Sequence, residues 1–252
     1  MGIDGSLAAE QRQQALLGIL RSTGRVEIAD MAEQLDVHPM TIRRDLKALE
    51  REGSARLVRG GAVLVGTAGF DVRRARALSA KKRIAEKLVP VVRRHESIGI
   101  DASTTILSLV EVMPEVEHLL VVTYGVQAFQ ALGTRPGIKT FLSGGELDPR
   151  TGSLVGPVGQ RTLEGFSLSC CILSTSALDP ELGTMEPTVE EVGMKQALAR
   201  SADRVVLALD STKLALRSTV RSLTLDQIST MVTELDPADE RLDPFRAHVE
   251  LI

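Results

Sequence analysis

The sequence predicts an α/β fold made of two unlike domains, a small helical domain followed by a larger, doubly wound α/β domain. The first observation is that apolar residues recur at helical spacing before residue 52 and give way to a short segment rich in Gly and Arg. The second is that short apolar segments alternate with helical patterns beyond residue 80, as in a mostly parallel sheet covered on both faces. With 252 residues, the chain is long enough for both domains.

Three short helices are expected in the first domain. Gln11–Leu20 carries apolar side chains on one side, and Gly24 is a natural helix stop. Val26–Leu35 is expected to form the second helix, which a tight turn follows. Pro39 suits the first turn of the third helix, where its missing N–H costs little.

The third helix is apolar on one side and cationic on another. Ile42, Leu46 and Leu49 fall at helical spacing and are expected to face a small core. Arg44 and Lys47 lie on a side that points away from that core. A helix of this kind fits the major groove of duplex DNA, where Arg can donate two hydrogen bonds to guanine.

A wing is expected after this helix. Residues 53–64 contain a Gly turn between two short runs, so two strands would place arginines near a phosphate backbone. A cationic helix face alone is usually just a solvated surface, but the helix order, Pro39 and the wing together indicate a winged helix-turn-helix domain that binds DNA. The predicted DNA contacts are Met40, Thr41, Arg43, Arg44, Lys47, Arg56 and Arg59.

This domain resembles a known family. Residues 10–64 are similar to the amino-terminal domain of DeoR-type bacterial transcriptional regulators, most clearly in the segments Thr41–Leu46, Leu49–Gly53 and Arg59–Ala62. His38 departs from the family, which usually has Ser at the start of the recognition helix. His is expected to cap a helix less well than Ser, and it could instead reach a phosphate or a base.

Charge is distributed unevenly along the chain. The formal net charge is −3, but residues 37–61 hold six Lys or Arg against three Asp or Glu, and residues 73–94 hold nine against one. Residues 223–252 hold two Lys or Arg against seven acidic residues. Local positive charge is what meets phosphates. One Tyr and no Trp argue against stacking of unpaired bases as the main binding mode.

The cysteines and the hydropathy indicate a cytoplasmic protein. Cys170 and Cys171 are adjacent, and a disulfide between neighbours is strained, so both are expected to be buried and reduced. Because no Cys or His pair has zinc-binding spacing, neither a metal nor a cofactor is expected. No signal peptide or long apolar span is visible, so no membrane partner is expected either.

Composition places the DNA-binding domain at residues 1–65, a linker at 66–80 and the effector domain at 81–252. The candidate strands are Ser97–Asp101, Leu119–Thr123, Ile138–Leu142, Cys170–Ser174, Val205–Asp210, Thr230–Thr233 and His248–Leu251. The candidate helices are Lys82–Arg94, Thr105–Val112, Gly125–Leu132, Val158–Glu164 and Val189–Ala202. The sequence leaves open whether the last fifteen or so residues add a strand or only a tail.

Polar residues cluster where the predicted strands end. Asp101 and the hydroxyls after it precede a helix, and Asp210 ends another strand. Ligands collect at the carboxyl ends of parallel strands, and a helix start with hydroxyls suits a phosphate. Each motif also has a structural explanation, because Asp101 or Ser103 could cap a helix, and Glu191 with Lys195 could form a surface ion pair.

The family resemblance extends to about residue 235, where the chain is similar to the DeoR effector domain, a relative in fold of ribose-5-phosphate isomerase. The resemblance implies a sensor of phosphorylated sugars or related metabolites, in which Thr104 and Thr105 hold the phosphate and Lys195 or Lys213 supplies positive charge. The predicted effector contacts are Asp101, Ser103, Thr104, Thr105, Tyr124, Gly145, Lys195, Asp210 and Lys213. The chain departs from the family at Ser103, Tyr124, Ser174 and Ala177, so its effector could differ in size or shape.

The leading hypothesis is an allosteric transcriptional regulator, a repressor that binds duplex operator DNA as a homo-oligomer and has no catalytic residues. The alternative is an enzyme on the same fold, a sugar-phosphate isomerase or an acyl-CoA-using transferase. Asp101, Asp210 and Glu191 would then transfer protons while Lys213 holds a phosphate. A third hypothesis is a DNA-binding protein whose effector site has degenerated.

Overall fold

A computed structural model describes residues 3–51, 54–64, 70–93 and 96–252, which divide into two units between Arg76 and Ala77. In the first unit the helices are α1 (Ile3–Thr23), α2 (Ile28–Gln34), α3 (Pro39–Arg51) and α4 (Phe70–Ala75). Its strands are β1 (Arg25–Glu27), β2 (Ala55–Val58) and β3 (Gly61–Leu64). This order of helices and a hairpin is that of the winged helix-turn-helix predicted from the sequence.

Strand β1 corrects the prediction of a helix over Val26–Leu35. Residues 25–27 pair antiparallel with β3, so that Val26 lies opposite Ala62, and the helix begins only at Ile28. Val26 is buried in the same cluster as Leu16 and Leu46. A distant strand supplies the backbone hydrogen bonds here, which helical spacing cannot reveal. Helix α1 is also longer than the predicted Gln11–Leu20.

The region expected to be a linker contains helical turns. Residues 65–69 of the predicted linker lie outside the described residues, whereas α4 covers Phe70–Ala75 within it. The next helix begins at Leu78, slightly earlier than expected. The linker's bounds therefore stay a prediction.

The second unit, hereafter the sensor unit, alternates strands and helices. Its helices are α5 (Leu78–Val92), α6 (Thr104–Val112), α7 (Val126–Leu132), α8 (Pro157–Glu164) and α9 (Val189–Arg200). Its strands are β4 (Ser97–Ile100), β5 (Leu119–Thr123), β6 (Ile138–Leu142), β7 (Glu146–Asp148), β8 (Ser153–Val155), β9 (Cys170–Leu173), β10 (Ala177–Asp179), β11 (Gly183–Glu186), β12 (Val205–Ala208), β13 (Val220–Arg221), β14 (Thr230–Val232) and β15 (Glu250–Leu251).

A parallel sheet of seven strands, in the order β15-β14-β12-β9-β4-β5-β6, forms the centre of this unit. The central strand β4 is covered on both faces. A Cβ at Gly99 would approach Leu198 of α9 to 2.6 Å, and Ile98 and Ile100, which alternate to the other face, are fully buried. The chain's last residues add β15 to the edge of the sheet, which answers the question that the sequence left open.

Shorter antiparallel pieces, absent from the sequence prediction, flank the carboxyl edge of the sheet. Strands β7 and β8 form a hairpin, and β10, β11 and β13 form a separate sheet. Each of these strands has two to four residues, too few for an alternating pattern to stand out. No helix in the described ranges combines the length and the apolar character needed to cross a membrane.

Candidate functional site

The exposed side of α3 carries its cations. Arg43, Arg44 and Lys47 are exposed, and Met40 keeps 61% of its surface accessible, whereas Thr41 is half-buried. The other side of the helix packs into the core of the first unit. The helix therefore presents a cationic surface of the kind that enters a major groove.

Asp45, an acid within this cationic helix, ties α3 to α1. Its carboxylate is 3% exposed and accepts hydrogen bonds from Arg12 Nε at 2.5 Å and from Gln13 Nε2 at 3.2 Å. A groove between the two helices is lined by Arg12 from α1 and by Arg44 and Lys47 from α3. Because Asp45 is buried and paired, it fixes the position of α1 with little repulsion toward an approaching phosphate.

His38 caps α3 through its imidazole ring. Nδ1 accepts a hydrogen bond from the backbone N–H of Met40 at 3.2 Å, and the backbone carbonyl of His38 accepts one from Thr41 at 2.8 Å. The ring thus supplies the side-chain acceptor that a Ser would supply at this position. Since Nδ1 is the acceptor, the hydrogen of the neutral ring lies on Nε2.

The wing carries two further exposed cations. Arg56 lies on β2, and Arg59 lies in the turn before β3, where Gly60 has a φ of +84°. The wing is joined to the recognition helix, because the backbone N–H of Leu57 donates to Glu50 Oε1 at 2.8 Å. The predicted DNA contacts of the wing and of α3 are therefore parts of one unit.

In the sensor unit, Lys195 is the centre of a buried ionic cluster. Its Nζ lies 2.6 Å from Glu186 Oε1 and 3.5 Å from Asp101 Oδ2, and it donates to the backbone carbonyl of Ser174 at 2.6 Å. Burial alone would lower the pKa of Lys195, but the charges of Glu186, Asp101 and Glu191 raise it above its usual value. Lys195 is therefore a cation held by fixed partners, and the surface pair with Glu191 that its spacing allowed is not formed.

Asp101 joins the ends of two neighbouring strands, β4 and β9. Its Oδ1 accepts from the backbone N–H of Ser103 at 2.9 Å, and its Oδ2 accepts from that of Ser174 at 2.7 Å. Ser103 in turn caps α6, since its Oγ accepts from the backbone N–H of Ile106 at 3.2 Å. The capping role that the sequence allowed for Ser103 is thus observed.

Lys213 lies beside the first turn of α6. Its Nζ is 3.2 Å from Ser174 Oγ and 3.7 Å from Asp210 Oδ2, and Ser174 Oγ is 3.5 Å from Thr105 Oγ1. Thr104 and Thr105 open that turn. Burial lowers the pKa of Lys213, although the charge of Asp210 opposes the change. A cation and hydroxyls around a helix start are the groups that bind a phosphate.

Tyr124 follows β5 and is fully buried. Its hydroxyl has no hydrogen-bond partner among the residues that the structure describes. Burial raises the pKa of Tyr124 well above its usual value, and the charges of Glu191, Asp101 and Glu186 raise it further. The backbone of Ala102 opposes this rise without meeting hydrogen-bond geometry, so the phenol stays neutral and unpaired.

Glu191, whose charge acts on the Tyr124 phenol, lies on α9. Its Oε1 accepts from Ser153 Oγ at 2.6 Å. Burial raises the pKa of Glu191, against the opposing charge of Lys195 and the hydrogen bond from Ser153. A carboxyl group whose pKa is raised by burial is a candidate for proton transfer.

Gly145 begins the β7–β8 hairpin rather than standing in the ionic cluster. Its φ is +118°, and a Cβ would lie 2.5 Å from the carbonyl oxygen of Val155, so the hairpin itself requires a glycine. Its contact with an effector stays a prediction.

Two residues of the cluster were missed in the sequence. Glu186 and Ser153 lie on strands β11 and β8, which were not predicted. The available signals were Gly152 and Gly183, which mark the tight turns that open these strands.

Comparison with known proteins gives matches along most of the chain. The DeoR C terminal sensor domain matches residues 76–235, and the DeoR-like helix-turn-helix domain matches residues 12–68. A computed superposition with ribose 5-phosphate isomerase A from Neisseria gonorrhoeae has a TM-score of 0.35 at 20% identity, over 53% of this chain and 52% of that one.

The similarity to curated relatives extends over nearly the whole length of both proteins. The HTH-type transcriptional regulator GlpR of Haloferax volcanii is 31% identical over 98% of both chains. The HTH-type transcriptional regulator GolR of Listeria innocua is 29% identical over 89% of this chain and 90% of its own. The glycerol-3-phosphate regulon repressor of Escherichia coli is 27% identical over 90% of this chain and 91% of its own. The chain therefore belongs to the DeoR family of DNA-binding transcriptional regulators.

Proposed function

We propose that this regulator represses transcription by binding an operator, and that a phosphorylated sugar or similar metabolite in the sensor unit releases it. The observation that carries the sensing half is the group of Lys213, Ser174 and Thr105, which surrounds the start of α6 with a cation and two hydroxyls. The proposed DNA contacts are Met40, Thr41, Arg43, Arg44, Lys47, Arg56 and Arg59. The proposed effector contacts are Asp101, Ser103, Thr104, Thr105, Tyr124, Gly145, Lys195, Asp210 and Lys213.

The kinship with a glycerol-3-phosphate regulon repressor supports both the sign of regulation and the class of effector. Binding as a homo-oligomer would pair two recognition helices with two half-sites of an operator. For the effector to act, it must bind the DNA-competent and DNA-incompetent states with different affinities. Lys213 is suited to such a difference, because its partners Ser174 and Asp210 belong to separate strand ends.

We further propose that the sensor unit binds its effector without turnover. The raised pKa of Glu191 is the one observation that favours an isomerase, since a general acid or base needs such a value. Asp101, however, which the isomerase would use for proton transfer, is buried 3.5 Å from Lys195 and accepts two backbone hydrogen bonds, so it is held as part of the ionic cluster. Interconversion of ribose 5-phosphate by the purified protein, lost in Glu191→Gln, would overturn this part of the proposal.

The deciding experiment is a mobility shift of the chain with its own upstream DNA at fixed salt, with and without a panel of sugar and polyol phosphates. We expect a sequence-specific shift that one compound releases. Lys213→Ala is expected to retain the shift and to lose the release. A specific shift that no compound alters would support the proposed operator binding and reject the proposed release by a metabolite.

A further inference from the structure

The inner end of the sensor site contains a donor and an acceptor that are both unused. The Tyr124 hydroxyl is buried with no partner among the described residues, and the hydrogen bond that Glu191 accepts from Ser153 uses Oε1 and leaves Oε2 open to a ligand. Leaving a buried polar atom unpaired costs about 1–3 kcal/mol, so such atoms usually have a partner in the functional state. The unpaired hydroxyl is therefore a sign that a ligand reaches this point.

Backbone contacts bring the two groups together. The backbone carbonyl of Tyr124 accepts from the N–H of Leu154 at 2.8 Å, and the preceding residue of β8, Ser153, donates its hydroxyl to Glu191 Oε1 at 2.6 Å. Strand β8 thus contacts both the backbone of Tyr124 and the carboxylate of Glu191. The negative charge of Glu191 is also the strongest charge acting on the Tyr124 phenol.

Lys213 and Tyr124 experience different sets of charges within the site. Lys213 is influenced by Asp210 and by the central ions Lys195, Glu186 and Asp101. Tyr124 is influenced by Glu191 and by the same central acids. The cation and hydroxyls at the start of α6, Lys213, Ser174 and Thr105, are therefore a different part of the site from the Glu191 carboxylate, which Ser153 of β8 holds.

We propose that the Tyr124 hydroxyl and Glu191 Oε2 together bind one uncharged hydroxyl group of the effector, within the sugar or polyol body rather than the phosphate. A ligand hydroxyl accepts from Tyr124 and donates to the carboxylate, so it satisfies both groups at once. A phosphate or carboxylate would be repelled by Glu191, Asp101 and Glu186, and an ammonium could not accept from Tyr124. This inference rests on the proposed function and names the specificity-determining pair within that site.

The test compares wild-type protein with Tyr124→Phe, which removes only the hydroxyl. Thr140→Val is the matched control, because Thr140 Oγ1 is also buried without a partner in the described part of the chain but lies on β6, outside the cluster. Calorimetric titrations without DNA use glycerol 3-phosphate, ribose 5-phosphate and fructose 1-phosphate as probes, with inorganic phosphate as the probe that has no polyol body.

We expect Tyr124→Phe to weaken binding of the tightest-binding polyol phosphate about tenfold, because the ligand hydroxyl loses the hydrogen bond that it accepts from Tyr124. Binding of inorganic phosphate should not change, and Thr140→Val should bind every probe like the wild type. Since Tyr124 is the one Tyr in a chain without Trp, the polyol phosphate should also change the tyrosine fluorescence of the wild type, whereas inorganic phosphate should not.

Three results would overturn the inference. One is equal affinity of wild type and Tyr124→Phe for a polyol phosphate that binds, which would leave the proposed function intact. A second is a melting temperature that falls in Tyr124→Phe but not in Thr140→Val, since the hydroxyl would then be a structural partner. The third is that none of the three polyol phosphates binds the wild type. Failure of the wild type to bind its operator, measured separately, would reject the regulator function itself.

Discussion

The two units of this chain use charge in opposite ways. In the first unit Arg43, Arg44 and Lys47 are exposed on α3, facing water. In the sensor unit Lys195 and its acidic partners are at most 6% exposed and satisfy one another. A polyanion such as DNA needs a surface whose charges are available, whereas a small ligand needs a few polar groups held in place. Substitution of the exposed cations of α3 should therefore affect binding, whereas substitution of Lys195 should affect stability.

The largest expected effect is in the buried cluster. Lys195→Met leaves Glu186 and Asp101 buried without their cation, so the free energy of unfolding should fall by about 3–5 kcal/mol. Urea denaturation followed by circular dichroism measures this. The control is Arg200→Met on the same helix, because Arg200 and Glu164 also lie 2.6 Å apart but are about half exposed. The control should change stability by less than about 1 kcal/mol, and similar losses in both variants would contradict the comparison.

The next effect concerns the exposed cations. Arg44→Ala should weaken operator binding by about 1–3 kcal/mol if Arg44 reads a base, with no change in the melting temperature. Arg59→Ala should weaken binding to all sequences and flatten its salt dependence. Mobility shifts at several salt concentrations measure both. Arg161→Ala, which removes an exposed cation from α8, is the control. Unchanged binding by both wing and helix variants would reject the proposed interface.

A smaller effect is expected at the start of the recognition helix. His38→Ala removes the acceptor for the Met40 N–H and should lower the stability of the first unit by about 1 kcal/mol. His38→Ser restores a cap and should recover that loss. If His38→Ser is stable but binds the operator less tightly than the wild type, His38 also contacts DNA. Equal stability of the Ala variant and the wild type would show that the His38 cap does not stabilise the first unit.

The smallest effect is a pH dependence of opposite sign at two acids. Folding raises the pKa of Glu191, so its contribution to stability is present below the ordinary value of 4.5 and is lost as pH rises through the raised value. Glu191→Gln should therefore gain stability relative to the wild type as pH rises. Asp239, whose pKa Arg241 lowers to about 2, contributes stability above 3.8 that is lost as pH falls. Unfolding of Asp239→Asn and Glu191→Gln at several pH values should show opposite trends.

Helices and parallel strands with strong patterns could be predicted from the sequence. Ile42 and Leu46 recur at helical spacing, and β5 and β6 have the bounds that their apolar runs indicate. Strand β1 could not be predicted, because its partner β3 lies more than thirty residues away. Local periodicity says nothing of such pairings.

The candidate site shows the same division. Asp101, Thr105 and Asp210 follow apolar runs, so their place at a sheet edge could be expected. The position of Glu186 could not be expected, since it reaches Lys195 from β11, a strand too short to be recognised in the sequence.

The sequence by itself determined the two-domain order, the cationic recognition helix and the family, because each depends on neighbouring residues in the chain. Only the tertiary structure decided which charges are buried, which of them pair, and that no described residue hydrogen-bonds to the Tyr124 hydroxyl. The physical reason is that burial and pairing depend on groups brought together from distant segments. A lysine side chain is a solvated cation when it lies on a surface, as Lys47 does, and the centre of an ionic cluster when it is buried among acids, as Lys195 is.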